Sequence, residues 1–105
     1  MTRLEKLQEF LKSDPDDSFT RYAIGLEYRA MQDMLKAIEI FEALVISDPG
    51  YAATYYQLAD CYRQMKENEK AKSCYRKGII QARAAQDLHA AGELQMALDE
   101  LEDEE

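Results

Sequence analysis

A chain of 105 residues with 47% hydrophobic and 32% charged side chains, two prolines and four glycines is one domain's worth of sequence with a modest core, which excludes disorder over most of its length. No apolar run approaches the ~18 residues of a membrane-spanning helix, and "MTRLEKLQEF" offers no uninterrupted hydrophobic stretch for a secretory signal. Two cysteines, Cys61 and Cys74, make no disulfide framework, so the expected compartment is the reducing cytoplasm.

The net charge of −8 is unevenly placed. Residues 86–105 hold eight acidic side chains and no lysine or arginine, whereas the other 85 residues balance at 13 of each sign. Residues 61–85 carry seven basic side chains against Glu67 and Glu69, a local +5. Opposite blocks so close in sequence are expected to meet, within one chain or between two.

In chain order, residues 1–15 read as one amphipathic helix with Leu4, Leu7, Phe10 and Leu11 on a stripe, followed by "SDP". Residues 16–50 hold two helical stripes, Tyr22, Ile24, Gly25, Leu26 and Tyr28 in the first and Ile38, Phe41, Leu44 and Val45 in the second. Asp33 is the expected N-cap between them, and Pro49 and Gly50 end the unit. Residues 51–85 repeat this plan, with Asn68 as the expected N-cap. Residues 86–105 form an acidic helix capped by Asp87, with Leu88, Ala91, Leu94, Leu98 and Leu101 on its apolar stripe and a frayed "EDEE" end.

Laying residues 18–51 over 52–85 matches eight positions identically, among them Thr20 with Thr54, Tyr22 with Tyr56, Tyr28 with Tyr62, Arg29 with Arg63 and Ala37 with Ala71. Gly25 with Ala59 and Phe41 with Tyr75 are close in character, and "SDP" at 13–15 recurs at 47–49. A 34-residue period therefore organises the chain. Moving back by 34 sets Leu4, Leu7, Phe10 and Leu11 on Ile38, Phe41, Leu44 and Val45, which makes residues 1–15 the second helix of a repeat without its first. Glycine inside a helix is unfavourable by about 1 kcal/mol relative to alanine, and Gly25 is explained by close helix approach. Small residues at Gly25, Ala37, Ala59 and Ala71 form those contacts, with Tyr28, Phe41, Tyr62 and Tyr75 filling the volume around them.

Period and spacing together make the sequence resemble the tetratricopeptide repeat family. The first unit supplies Ile24, Gly25, Tyr28, Ala37, Phe41 and Pro49, and the second Tyr55, Leu58, Ala59, Tyr62, Ala71 and Tyr75. Arg21 stands where the family favours a large aromatic, and Arg83 where it has proline, so the last helix of the second unit is expected to run on towards Ala85. The resemblance implies an all-α, right-handed α-solenoid of about five helices, two full units plus flanking helices, with residues 86–105 as a cap. It further implies a concave groove lined by the first helices of the repeats. Phe19, Tyr22, Leu26, Arg29 and Ala30 would face it from the first unit, and Ala53, Tyr56, Asp60, Arg63 and Gln64 from the second.

Function is then expected to be non-enzymatic binding of a partner protein, with an extended or helical peptide in the groove and its acidic group near Arg29 and Arg63. The lysine and asparagine clamp of chaperone-binding relatives is missing, since Tyr22, Leu26, Ala53 and Gln57 stand at the matching positions. Alternatively Tyr22 and Tyr56 support helix stacking, and the basic second repeat and acidic C-terminal helix pair two copies into a homodimer. Catalysis is not expected, because His89 is the only histidine and is read as exposed, and no glycine-rich phosphate loop occurs. Nor is a metal or other cofactor, since Cys61, Cys74 and His89 make a poor ligand set and the cysteines read as semi-buried. The acidic balance disfavours nucleic acid and anionic membrane surfaces.

Overall fold

The computed structural model describes residues 1–105 and consists of six helices: α1 (Arg3–Ser13), α2 (Ser18–Ala30), α3 (Met34–Ser47), α4 (Ala53–Gln64), α5 (Asn68–Ala84) and α6 (Leu88–Glu104). Each helix packs on its chain neighbours, which gives an all-α solenoid with principal extents of 42 × 29 × 19 Å. None is long and apolar enough to cross a membrane.

The starts of the helices follow local chemistry. Thr2 and Glu5 form a reciprocal capping box on α1, with bonds of 3.1 and 2.9 Å. Asp17, Asp33 and Asp87 accept from the backbone N–H groups of Thr20, Lys36 and Ala90 and so cap α2, α3 and α6. Asn68 does not cap α5 as expected: it is the first helical residue, and Glu67 takes the cap position without a side-chain bond.

The ends show two kinds of turn. After α2, α4 and α5 the chain passes through Gln32, Lys66 and Gln86 with φ of 66°, 64° and 59°. In each case the next residue's N–H reaches back to close the helix: Asp33 to Tyr28, Glu67 to Tyr62 and Asp87 to Ala82. This is the Schellman arrangement, built on non-glycine residues that pay for the left-handed backbone. After α1 and α3 the chain instead passes through the "SDP" segments, with Asp14 and Asp48 at the C-caps. Arg83 in place of proline lets α5 reach Ala84, three residues longer than its counterpart α3, and "AQD" at 85–87 then turns the chain as "MQD" does at 31–33.

The core runs through α3, α4, α5 and α6. Phe41, Leu44, Leu58, Tyr75, Leu94 and Leu101 are its largest buried side chains, each contributing about 1.5–3 kcal/mol of burial. Ala37, Ala59 and Ala71 are fully buried, as the small-residue reading requires. A Cβ added at Gly25 would meet the Phe41 ring, 2.7 Å from Cζ, so this glycine exists to admit that ring. Gly78 was not singled out by the sequence and does the same work, since a Cβ there would lie 2.7 Å from the Cβ of Tyr55. Cys61 and Cys74 are buried rather than semi-buried, and burial raises both thiols, Cys74 to about 11.

The last helix departs from the expected cap in two respects. Its buried stripe is Ala91, Leu94, Ala97, Leu98 and Leu101, while Leu88 is 76% exposed. Its end does not fray: Glu102 pairs with Arg76 at 3.2 Å, Glu104 with Arg63 and Glu105 with Lys72. The basic and acidic blocks thus meet within one chain.

Candidate functional site

Helices α2, α4 and α6 line one cleft of about 320 Å³. Tyr22 enters it from α2; Ala52, Ala53, Tyr56 and Gln57 come from the start of α4; His89, Ala90, Glu93 and Leu94 come from α6. Beyond Tyr56 the depression continues along α6 past Glu93, Met96, Ala97 and Glu100. The walls are helical and the small side chains of Ala52, Ala53 and Ala90 leave the opening between the two tyrosines.

Both tyrosines are held from behind by the aromatic residue of their own repeat. Tyr22 lies 6.0 Å from Phe41, and Tyr56 lies 6.1 Å from Tyr75 in an edge-on arrangement. Tyr51, at the position equivalent to Asp17, stacks on Tyr22 at 5.7 Å. Such pairs add about 0.5–1.5 kcal/mol beyond burial. The two readings of these tyrosines are therefore compatible, because each ring supports helix packing with one part and lines the cleft with another. Burial raises the Tyr22 phenol, opposed by a hydrogen bond with Gln57 and the charge of Arg29.

The arginines are placed differently from the expectation. Arg29 hydrogen-bonds Gln57 and forms an ion pair with Asp60, one repeat further on. Arg63, its repeat equivalent, pairs with Glu104 and approaches Glu100 at 3.8 Å. Each guanidinium thus joins one inner helix to the next, and neither is free to receive an acidic group. Leu26 packs against the core, Phe19 is 65% exposed, and Ala30 and Gln64 are exposed, none of them lining the cleft. Of the groove residues read from the sequence, Tyr22, Ala53 and Tyr56 come together there.

What sequence reasoning missed is the contribution of α6. The shared "QD" turn at 32–33 and 86–87 was the available signal, since it shows that α6 is joined to α5 by the tight turn used inside repeats rather than by an "SDP" segment. His89 is exposed and reaches Glu93 one turn away. The two cysteines are buried in the core, apart from this surface.

The tetratricopeptide repeat model matches residues 28–92, and the chain belongs to that family. A tetratricopeptide repeat domain protein from Salinibacter ruber is 37% identical, with a TM-score of 0.84 over 88% of this chain and 93% of that one. The Yersinia enterocolitica type III secretion translocator chaperone SycD superposes with a TM-score of 0.87 at 18% identity, covering 96% of this chain and 77% of its own. PcrH, solved in complex with the chaperone binding region of PopD, gives 0.87 at 15% identity, over 96% and 77% of the two chains. At those identities the last two establish the shared fold alone. No curated protein matches the chain in sequence.

Proposed function

We propose that this chain is a non-enzymatic interaction module of the cytoplasm that receives a peptide or helical segment of a partner protein between α2, α4 and α6. The observation that carries the reading is the cleft itself: about 320 Å³, bordered by two tyrosines whose rings are fixed by neighbouring aromatics. Rigid aromatic side chains around an opening suit anchoring of an apolar side chain, because little conformational entropy remains to be lost on binding. PcrH, which shares the fold, holds a segment of another protein, consistent with this use of the architecture.

Phe19, Tyr22, Leu26, Arg29, Tyr56, Asp60 and Arg63 then divide by role. Tyr22 and Tyr56 contact the bound segment; Arg29, Asp60 and Arg63 hold the inner helices in register; Leu26 packs beneath; Phe19 extends the exposed apolar surface. The homodimer reading gains no particular support, since a swap of α6 between copies would exchange the present ion pairs for identical ones.

The test is affinity capture with wild type and Ala53→Arg, a change at an exposed position that fills the cleft without touching the core. Proteins retained by wild type and lost from Ala53→Arg, both folded by circular dichroism, identify the cleft's partners. Identical capture by both removes the reading.

A further inference from the structure

The charge around the cleft specifies more than its shape. Its floor is apolar and aromatic, from Tyr22, Tyr56, Ala90 and Leu94, and its α6 side carries two carboxylates, Glu93 and Glu100. The cations nearby are already engaged: Arg29 with Asp60, and Arg63 with Glu104 and Glu100. Glu93 has only His89 beside it, and Glu100 stands 3.8 Å from an arginine that Glu104 holds more closely. An incoming segment therefore meets apolar surface and negative charge, on a chain whose net charge of −8 attracts cations over longer range.

We infer that the occupant of the cleft is a basic amphipathic segment, with an apolar side chain seated between Tyr22 and Tyr56 and lysines or arginines directed to Glu93 and Glu100. The two glutamates are seven positions apart, about 10 Å along a helix. A helical partner spans that distance with cations at i and i+7, and an extended one with cations at about i and i+3. Met96, 63% exposed on the same side, adds an adaptable apolar surface between the glutamates. An acidic segment would set its carboxylates against Glu93 and Glu100 with no free cation to compensate. The inference reverses the ligand charge expected from Arg29 and Arg63 alone, and it rests on the cleft being the binding site.

The test uses fluorescence anisotropy with three synthetic amphipathic peptides of one length and one set of apolar anchors, with lysine, glutamine or glutamate at the polar positions. The lysine probe is expected to bind, and Glu93→Lys/Glu100→Lys to weaken it about tenfold or more, since two rim ion pairs and their reversal act together. Asp16→Lys/Asp99→Lys changes the net charge equally at positions outside the cleft and is expected to leave most of the affinity. Equal binding of the glutamine or glutamate probe, or equal losses in the two double variants, would overturn the basic-segment inference. Ala53→Arg separates that failure from failure of the site: if it abolishes binding of all three probes alike, the cleft stands and its charge preference falls. Lysine-probe binding unaffected by Ala53→Arg, or no binding by any probe, removes both.

Discussion

Thr20 and Thr54 occupy the same position in successive repeats, and both are buried, yet only one hydroxyl has a partner. Thr20 donates to Asp17, which also caps α2 through the Thr20 backbone N–H. In the second repeat Tyr51 stands where Asp17 did; α4 begins without a side-chain cap, and the Thr54 hydroxyl is buried with no hydrogen bond. What repeat two gains in exchange is the stacking of Tyr51 on Tyr22 beside the cleft. A second exchange runs through the core. Repeat one has the half-buried Arg21, whose guanidinium donates to the Ser47 hydroxyl at 2.6 Å, and the buried Leu44 at the positions where repeat two has a buried Tyr55 opposite Gly78. Bulk has moved from the second helix of the unit to the first, and the Tyr55 hydroxyl donates to the Pro49 carbonyl at 2.8 Å. One period therefore accommodates two solutions to the same packing problem.

The largest test of that contrast is at the glycines. Gly25→Leu and Gly78→Leu should each destabilise by about 3 kcal/mol, the upper part of the usual range for overpacking, because the first new carbon already meets a buried neighbour. Adding Tyr55→Arg to Gly78→Leu recreates the pair found in repeat one and should recover part of that loss, whereas the same change added to Gly25→Leu should recover none. Urea unfolding of the four variants measures both, and equal behaviour in the two backgrounds would refute the exchange of bulk.

Valine at the two threonines should act with opposite sign. Thr54→Val removes a buried hydroxyl that has no partner and should stabilise by up to about 1 kcal/mol; Thr20→Val removes one that is bonded and should destabilise by about 1 kcal/mol. Thermal midpoints moving in the same direction would break the comparison. A similar gain, about 0.5–1 kcal/mol, is expected from Gln86→Gly, which relieves the left-handed backbone at the turn leading into α6.

The smallest effect concerns pH and belongs to repeat one alone. Hydrogen bonds from the Thr20 side chain and backbone hold the Asp17 carboxyl below its ordinary 3.8. A depressed folded-state value means that the stabilisation is present above about pH 4 and is lost as the pH falls through the lowered value. Asp17→Asn keeps a capping side chain but does not titrate, so its stability should decline less between pH 4 and 2 than that of wild type. Identical declines in denaturant titrations at those pH values would show that Asp17 does not carry this dependence.

Much of the architecture was legible because it is encoded locally. Helical stripes and the aspartate caps at Asp33 and Asp87 depend on residues a few positions apart, the 34-residue period shows as recurrence along the chain, and Gly25 was correctly tied to close packing; the cap at Asp17 is seen only in the structure. The cap at Asn68 was misread because an acceptable capping residue can sit equally well as the first residue of the helix, and the left-handed turn at Lys66 places it there. Gly78 escaped notice because the repeat sets the large Leu44 at its position, whereas Gly25 aligns with the small Ala59, so the period marks only Gly25 as a site of close approach.

The sequence by itself determined the family, the helices, the repeat register and the meeting of the basic and acidic blocks, since periodicity and charge order are properties of the chain. Tertiary structure alone decided what that charge leaves free. Arg29 and Arg63 look like ligand-binding cations in sequence, but the spacing of the inner helices hands them to Asp60, Glu100 and Glu104. In the same way, the tight turn at Gln86 brings Glu93 and Leu94 beside Tyr56 and makes the terminal helix a wall of the cleft. Pairing and enclosure depend on distances between helices, which a 34-residue period implies only when every connection is alike; here the last connection differs.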